Sequence, residues 1–106
     1  MNRQRQIDLF LLAAHRLAME RLRAEPARIE PVRAQLARWR AQAGRPTRSD
    51  SYWDEWQALL SADLEELARV VCADDDHGTL LRSVSPMSTL ITQSERSALL
   101  RAVRAP

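Results

Sequence analysis

The feature that most constrains this chain is its supply of strong helix formers combined with almost no glycine. Of the 106 residues only Gly44 and Gly78 are glycine, and alanine, leucine and arginine dominate. These three residue types favour helices, whereas the β-branched and aromatic residues that favour strands are few. A chain of this length supports one hydrophobic core. We therefore expect an all-α protein that folds as a single compact helical domain over residues 1–106.

Apolar spacing and stop signals predict two longer helices in the first half of the chain. Apolar residues three and four apart predict a first helix over residues 2–24, which the Glu25-Pro26 step ends. A second helix is predicted over residues 26–43, where Pro31 either kinks it or begins it afresh, and Gly44 stops it. Residues 1–44 are thus expected to form a basic helical hairpin.

The second half is predicted to be a cluster of four short helices over residues 51–106, after a polar linker at residues 44–50. Serine, threonine and aspartate cap helix starts, and an acidic residue three positions later completes a capping box. The predicted starts are Ser51 with Asp54, Ser61, the run Asp74, Asp75 and Asp76, and Thr92 with Glu95. The predicted inward residues include Tyr52, Trp56, Leu59, Leu60, Leu64, Leu67, Ala68, Val71, Cys72, Leu80, Leu81 and Val84.

Charge is sharply segregated along the chain. Residues 1–48 hold 11 arginines and four acids, residues 49–78 one arginine and nine acids, and residues 79–106 four arginines and one acid. The segment charges are therefore +7, −8 and +3, which give the overall +2. Either the opposite charges attract each other and help to close the bundle, or they present two faces that steer a charged partner.

No pattern in the sequence is typical of an enzyme. Cys72, the three aspartates and His77 are metal-ligand types, but adjacent residues on a helix point in different directions, and aspartates favourably cap a helix N-terminus. His15 has no nucleophile paired with it by motif and is expected at the boundary between core and surface. We expect no catalytic residue, no metal and no cofactor.

The sequence also predicts a cytoplasmic protein. The polar start of the chain and the short apolar run at residues 7–14 lack the features of a signal peptide and are too short to span a membrane. The single cysteine, Cys72, has no internal partner for a disulfide. We therefore expect no membrane association.

Two groups of apolar residues bear on partner binding. Trp39 and Trp56 continue apolar series and are expected in the core, whereas Trp53 falls outside its series and is expected to be an exposed anchor. The first helix is apolar on a second side as well, formed by Leu9, Leu12 and Met19. Such a helix is either central in its bundle or covered by another chain, and in so small a domain we favour a protein partner or a second copy.

The second half carries a family pattern as well. Residues 52–60 read YWDEWQALL, residues 81–87 read LRSVSPM, and Leu90, Glu95-Arg96 and Leu99-Leu100 follow. This order resembles a C-terminal module of small antitoxins from bacterial toxin-antitoxin loci, whose pattern is W..LL, an acidic helix, and LRQSSPF.G.L...ER..IL. Met87 stands here for the phenylalanine and Thr89 for the glycine. The resemblance implies an antitoxin-like inhibitor that folds over a cognate toxin.

The sequence thus predicts a protein that binds another macromolecule. The expected partner contacts are Leu9, Leu12, Arg16, Met19, Arg38, Arg40, Arg45, Arg48, Trp53, Arg82, Pro86 and Met87. Two alternatives stay open. One is a nucleic-acid-binding regulator, although no helix-turn-helix pattern is present. It would use Arg28, Arg33, Arg38, Arg40, Arg45 and Arg48. The other is a different small inhibitor, such as a phage-derived blocker of host defence.

Overall fold

Six helices account for most of the computed structural model, which describes residues 2–104. They are α1 (Arg3–Ala24), α2 (Ile29–Ala43), α3 (Asp50–Leu60), α4 (Leu64–Val71), α5 (Asp76–Ser83) and α6 (Gln93–Arg104). Short 3₁₀ turns at Pro26–Arg28 and Met87–Leu90 precede α2 and α6. The described residues contain no β-strand. The predicted all-α class with six helices is confirmed.

Side-chain caps set several helix starts as predicted. The Asp75 carboxylate accepts the Gly78 amide at 2.7 Å and begins α5. Thr92 and Glu95 form a reciprocal capping box, in which the Glu95 amide donates to Thr92 Oγ1 at 3.1 Å and the Thr92 amide donates to Glu95 Oε1 at 2.8 Å. Each pair satisfies amides that a helix start leaves without a partner.

Two predicted starts are wrong. α3 begins at Asp50 with no side-chain cap, and Asp50 instead accepts the backbone and hydroxyl of Thr47 at 3.1 and 2.9 Å, which orders the preceding loop. α4 is capped by Asp63, which accepts the Glu66 amide at 2.8 Å. The Ser61 hydroxyl donates to the Gln57 carbonyl at 3.2 Å and so closes α3 rather than opening α4.

Proline and glycine set the bounds of α2. Pro26 opens a 3₁₀ turn and α2 begins at Ile29, so Pro31 lies in the first turn, where its missing N–H is not needed. Of the two alternatives for Pro31, the fresh start is the one observed. Gly44 ends α2 in the left-handed region, with φ of 66°, which glycine adopts without steric cost.

The hydrophobic core gathers around α1 and joins both halves of the chain. α1 packs against α4, α5 and α6, while α2 packs against α3 and the second 3₁₀ turn. Trp56 is fully buried, and its indole N–H donates to the Leu81 carbonyl at 2.9 Å, which ties α3 to α5. The core cluster includes Met19, Leu22, Val32, Leu36, Trp56, Leu60, Leu67, Val71, Leu81, Met87 and Leu90.

The central position of α1 corrects the expectation that another chain covers its second side. Leu12 and Met19 are only 4% and 1% exposed, because the short C-terminal helices surround α1, and Leu9 is half-buried. These side chains stabilise the fold of this chain. The predicted inward position of Leu80 is also wrong, since this residue is 46% exposed while its neighbour Leu81 fills the core.

Ion pairs connect the segments of opposite charge. Arg5 with Asp74, Arg23 with Glu65, and Arg40 with Asp54 join the basic first half to the acidic middle at 3.8, 3.1 and 2.5 Å. Arg21 forms a further pair with Glu95 of α6. Exposed pairs contribute at most about 1 kcal/mol each. Part of the segregated charge therefore closes the bundle.

Candidate functional site

A concave surface that combines apolar and basic side chains lies between α1, the first turn of α6 and the connection from α5 to α6. We call it the α1–α6 cleft. Its volume is about 200 Å³. Its apolar lining consists of Phe10, Leu11, Ala14, Ala18, Trp39, Val84, Met87 and Ile91. Its polar lining consists of His15, Arg82, Ser83, Ser85, Ser88 and Arg96. Neither aspartate nor glutamate lines it.

His15 lies in the inner wall of the cleft and is 5% exposed, so it is a core residue rather than the boundary residue expected. Its Nδ1 lies 2.7 Å from the Leu11 carbonyl, which can only accept, so Nδ1 carries the proton. Nε2 then accepts from the Ser85 hydroxyl at 2.7 Å. Burial, with a smaller effect from Arg82, lowers the pKa of His15 to about 4, although the Leu11 carbonyl opposes this. His15 is therefore neutral at pH 7.

The His15–Ser85 pair connects α1 to the α5–α6 connection. The Ser85 oxygen also accepts the Met87 amide at 3.1 Å, which starts the second 3₁₀ turn. A serine nucleophile needs a base held by an orienting group and donors for the oxyanion. Here the orienting group is a carbonyl of the same helix, and the nearby amide donates to the serine itself. The geometry favours a structural role for the pair.

Arg82 is a buried cation in the wall of the cleft, 3% exposed. Its Nη1 donates to the Val71 and Ala73 carbonyls at 2.8 and 2.7 Å, and its Nη2 donates to Thr79 Oγ1 at 3.3 Å. Its Nε is buried without a hydrogen-bond partner. Within residues 2–104 no carboxylate forms a salt bridge with Arg82. Burial lowers the pKa of this guanidinium, although Asp74, Asp75 and Asp8 oppose the effect, so the wall of the cleft contains a desolvated positive charge.

Gly78 makes room for this arrangement. A Cβ at position 78 would lie 2.5 Å from the Ala73 carbonyl oxygen and 2.9 Å from Arg82 Nη1. Both distances are shorter than van der Waals contact. The absence of a side chain therefore lets Arg82 reach the carbonyls that hold it.

The motif at residues 81–87 has a different position from the one expected. Arg82, Pro86 and Met87 were predicted as partner contacts, yet the side chains of all three are buried. Arg82 and Met87 nevertheless line the cleft from its inner side, whereas Pro86 does not line it. What this motif presents outward is Ser83 and the half-buried Val84 and Ser85.

The rim of the cleft is aromatic and basic. The Arg96 guanidinium carbon lies 5.7 Å from the centre of the Phe10 ring, a cation–π arrangement. Trp39, expected in the core, is half-buried and lines the cleft. Its ring centre lies 6.2 Å from that of Trp53. Trp53, expected to be exposed, is half-buried against the core, and its Nε1 is buried without a partner. Trp56 is in the core as predicted.

The predicted basic contacts divide into two groups. Arg40 pairs with Asp54, and Arg33 donates to the Leu60 carbonyl at 2.7 Å, so both serve the fold. Arg38, Arg45 and Arg48 are exposed at the end of α2 and in the following loop, and none of them forms a salt bridge within the described residues. Arg16 is exposed on α1.

The residues near Cys72 whose types can bind metal ions do not come together at one point. Asp75 caps α5, Asp74 pairs with Arg5, and His77 Nε2 lies 2.6 Å from Glu55 Oε2. Cys72 is half-buried, and burial raises the pKa of its thiol. In the part of the chain that the structure describes, no three such residues are placed to hold one ion.

Two negative findings bear on the identity of the chain. None of the helices described is long and apolar enough to cross a membrane. No protein-family model, curated protein or solved structure matches the chain. The function is therefore inferred from the geometry of the chain itself.

Proposed function

We propose that this protein is an antitoxin-like inhibitor that binds a toxin protein through the α1–α6 cleft and blocks it by occlusion. The observation that supports this best is the partial burial of α6. It lies along α1, yet none of its residues is fully buried. Leu99, Leu100 and Val103, three to seven positions after Arg96 on the same helix, are each half-buried, so this chain covers the apolar face of α6 only in part. Open apolar surfaces of this kind mark interaction sites.

The basic residues around this surface indicate the charge of the partner. Arg96 is on the rim, Arg101 and Arg104 are exposed on α6, and Arg16 is exposed on α1. Complementary charge speeds association and rejects partners of the wrong sign. The toxin would accordingly present an acidic, partly apolar surface.

Co-expression with the product of the adjacent gene tests this proposal. The wild-type chain should co-purify with that product and restore growth of cells that express it. Ile91→Arg places a charge in the apolar lining and should abolish both effects. Leu80→Arg is the matched control, because Leu80 is exposed and does not line the cleft.

Two outcomes would count against the proposal. If the wild-type chain remains alone and fails to restore growth, the antitoxin function is wrong. If Ile91→Arg binds as well as Leu80→Arg while both variants stay folded, the cleft is not the binding surface. A captured partner that is a host-defence protein would point instead to a different kind of inhibitor.

A second candidate function, nucleic-acid binding, is favoured by the exposed arginines at the end of α2. Arg38, Arg45 and Arg48 are free of salt bridges within residues 2–104, and guanidinium groups in this state suit phosphates. Each phosphate that a guanidinium neutralises steepens the decline of log K with log salt concentration by about 0.9. A double change, Arg45→Gln with Arg48→Gln, should therefore reduce that slope by about 2. Arg69→Gln, which removes an arginine paired with Glu66, is the control. Absence of any complex at low salt would eliminate this function.

A further inference from the structure

We infer that the α1–α6 cleft recognises an acidic, apolar segment of a protein partner, with one large apolar side chain in the cleft and a neighbouring carboxylate beside Arg82 and Arg96. This inference rests on the proposed function and specifies the chemistry of the partner. It depends on three observations, which concern the charge of the wall, the charge of the lining, and the size of the cavity.

The wall of the cleft holds a positive charge that the described residues do not neutralise at short range. Arg82 is buried, its hydrogen bonds go to carbonyls and a hydroxyl, and its Nε has no partner. A buried charge without a directly bonded counter-ion is costly, although Asp8, Asp74 and Asp75 act on this one from further away. Attraction between charges is also stronger where water is excluded. A carboxylate at the mouth of the cleft would lower that cost.

The rest of the lining reinforces the preference for an anion. Arg96 supplies a second guanidinium on the rim, where it is half-buried and accessible. Ser85 and Ser88 offer hydroxyl groups, and no acid lines the cleft. The nearest acid along the chain, Glu95, is held by Arg21 and by the Thr92 amide. A carboxylate from a partner would thus meet two cations, and the carboxylates of this chain that act on Arg82, those of Asp8, Asp74 and Asp75, lie outside the cleft lining.

The size of the cavity favours a side chain over a free small molecule. Pockets that hold whole ligands usually measure about 300–1,000 Å³, whereas this cavity measures about 200 Å³. Phe10, Trp39 and Ile91 line it, so the group that enters it is apolar. Interfaces concentrate their binding energy in anchors of this type, placed in pockets.

A pair of synthetic peptides tests the inference without the toxin. The first is an acetylated, amidated hexapeptide, Ser-Glu-Leu-Phe-Glu-Ser, and the second replaces both glutamates by glutamine. NMR titration follows the indole signals of the three tryptophans and the Nε–H signal of Arg82. The acidic peptide should shift the Trp39 and Arg82 signals and leave Trp56 unmoved. The glutamine peptide should bind about tenfold more weakly, as expected for loss of about 1.4 kcal/mol of charge-assisted contact.

Two matched variants test which arginine causes the preference for the acidic peptide. Arg96→Gln should remove most of the preference for the acidic peptide. Arg69→Gln should not, because Arg69 is exposed on α4, where it pairs with Glu66, and does not line the cleft. Both positions are at least partly exposed, so both variants should fold.

Three results would overturn the inference. The first is equal affinity for the two peptides, and the second is no shift at peptide concentrations up to about 10 mM, which is weaker than millimolar binding. The third is a shift of the cleft signals with protein concentration alone, which would assign the cleft to a second copy of this chain. A failure here combined with successful co-purification would leave the proposed function standing and reject only this account of the partner.

Discussion

Two sides of α1 carry apolar side chains but are closed in different ways. On one side Met19 packs in the same cluster as Trp56, whose ring is fully buried and whose N–H is bonded to a carbonyl. On the other side Phe10 lines a cleft whose lining includes the half-buried Trp39.

The two sides also differ in whether their buried polar atoms are hydrogen-bonded. On the closed side the Trp56 indole nitrogen is hydrogen-bonded, whereas Arg82 Nε in the cleft wall is buried without a partner. Natural cores leave few such atoms unsatisfied. Apolar character alone therefore does not distinguish the closed core from the cleft in this chain.

The largest expected effect is the loss of the Trp56 ring. Trp56→Ala should lower the free energy of unfolding by about 3–5 kcal/mol, because it leaves a cavity and an unpaired Leu81 carbonyl. Trp39→Ala, on the cleft side, should cost about 1 kcal/mol, since that ring is already half-exposed. Urea denaturation followed by circular dichroism measures both. Equal losses from the two changes would mean that the cleft is as much a part of the core as Trp56 is.

The sequence predicted the features that depend on neighbours along the chain. Six helices, the Thr92–Glu95 capping box and the stop at Gly44 follow from propensities and hydrogen bonds that span three or four residues. The errors at Ser51 and Ser61 are of one kind. Each serine lies within three residues of an aspartate, and the structure gives the cap or the loop contact to the aspartate.

The features of the cleft were harder to predict from the sequence, because they depend on contacts between residues far apart in the chain. His15 and Ser85 are 70 positions apart, and no local pattern pairs them. A weak signal did exist, since His15 shares a helix face with Leu11, Ala18 and Leu22, a spacing typical of a buried residue. Whether Leu12 and Met19 meet another chain or this one depends on how short helices pack around α1, which periodicity does not specify.

The next effect concerns acid. His15 has a pKa of about 4 in the folded chain and an ordinary value of 6.5. Above pH 6.5 it is neutral in both states and the stability is unaffected. As the pH falls from 6.5 towards 4, His15 becomes protonated in the unfolded chain but stays largely neutral in the folded chain. The free energy of unfolding should drop by about 3 kcal/mol over this range. Denaturation midpoints measured at intervals across it would show the decline.

A variant isolates this effect. His15→Gln keeps a polar group near Ser85 but cannot titrate, so its stability should stay flat where the wild type declines. Glu95 titrates in a separate window, since its bond to Arg21 and then the Thr92 amide hold its pKa at about 2. Its stabilisation is present above its ordinary value of 4.5 and is lost as the pH falls towards 2. If the variant and wild type decline together above pH 4.5, the protonation of His15 is not the cause.

The smallest expected effect compares the caps of two helices on the two sides of α1. Thr92→Ala removes the cap of α6, which borders the cleft, and Asp63→Ala removes the cap of α4, which packs in the closed core. Each loss should cost about 1 kcal/mol of helix stability. α6 has no fully buried residue, whereas Leu67 and Val71 of α4 are fully buried. The loss of the α6 cap should therefore destabilise α6 alone, and the loss of the α4 cap should destabilise the whole core.

Amide hydrogen exchange distinguishes the two cases. In Thr92→Ala the amides of α6 should exchange faster by about fivefold, while those of α1 and α4 keep their protection, because a helix held by half-exposed contacts opens locally. In Asp63→Ala protection should fall across α1, α3 and α4 together, because a core helix opens only with the whole domain. The same uniform loss in both variants would show that α6 belongs to the cooperative core. The half-exposed leucines of α6 would then belong to the same cooperative folding unit as the core.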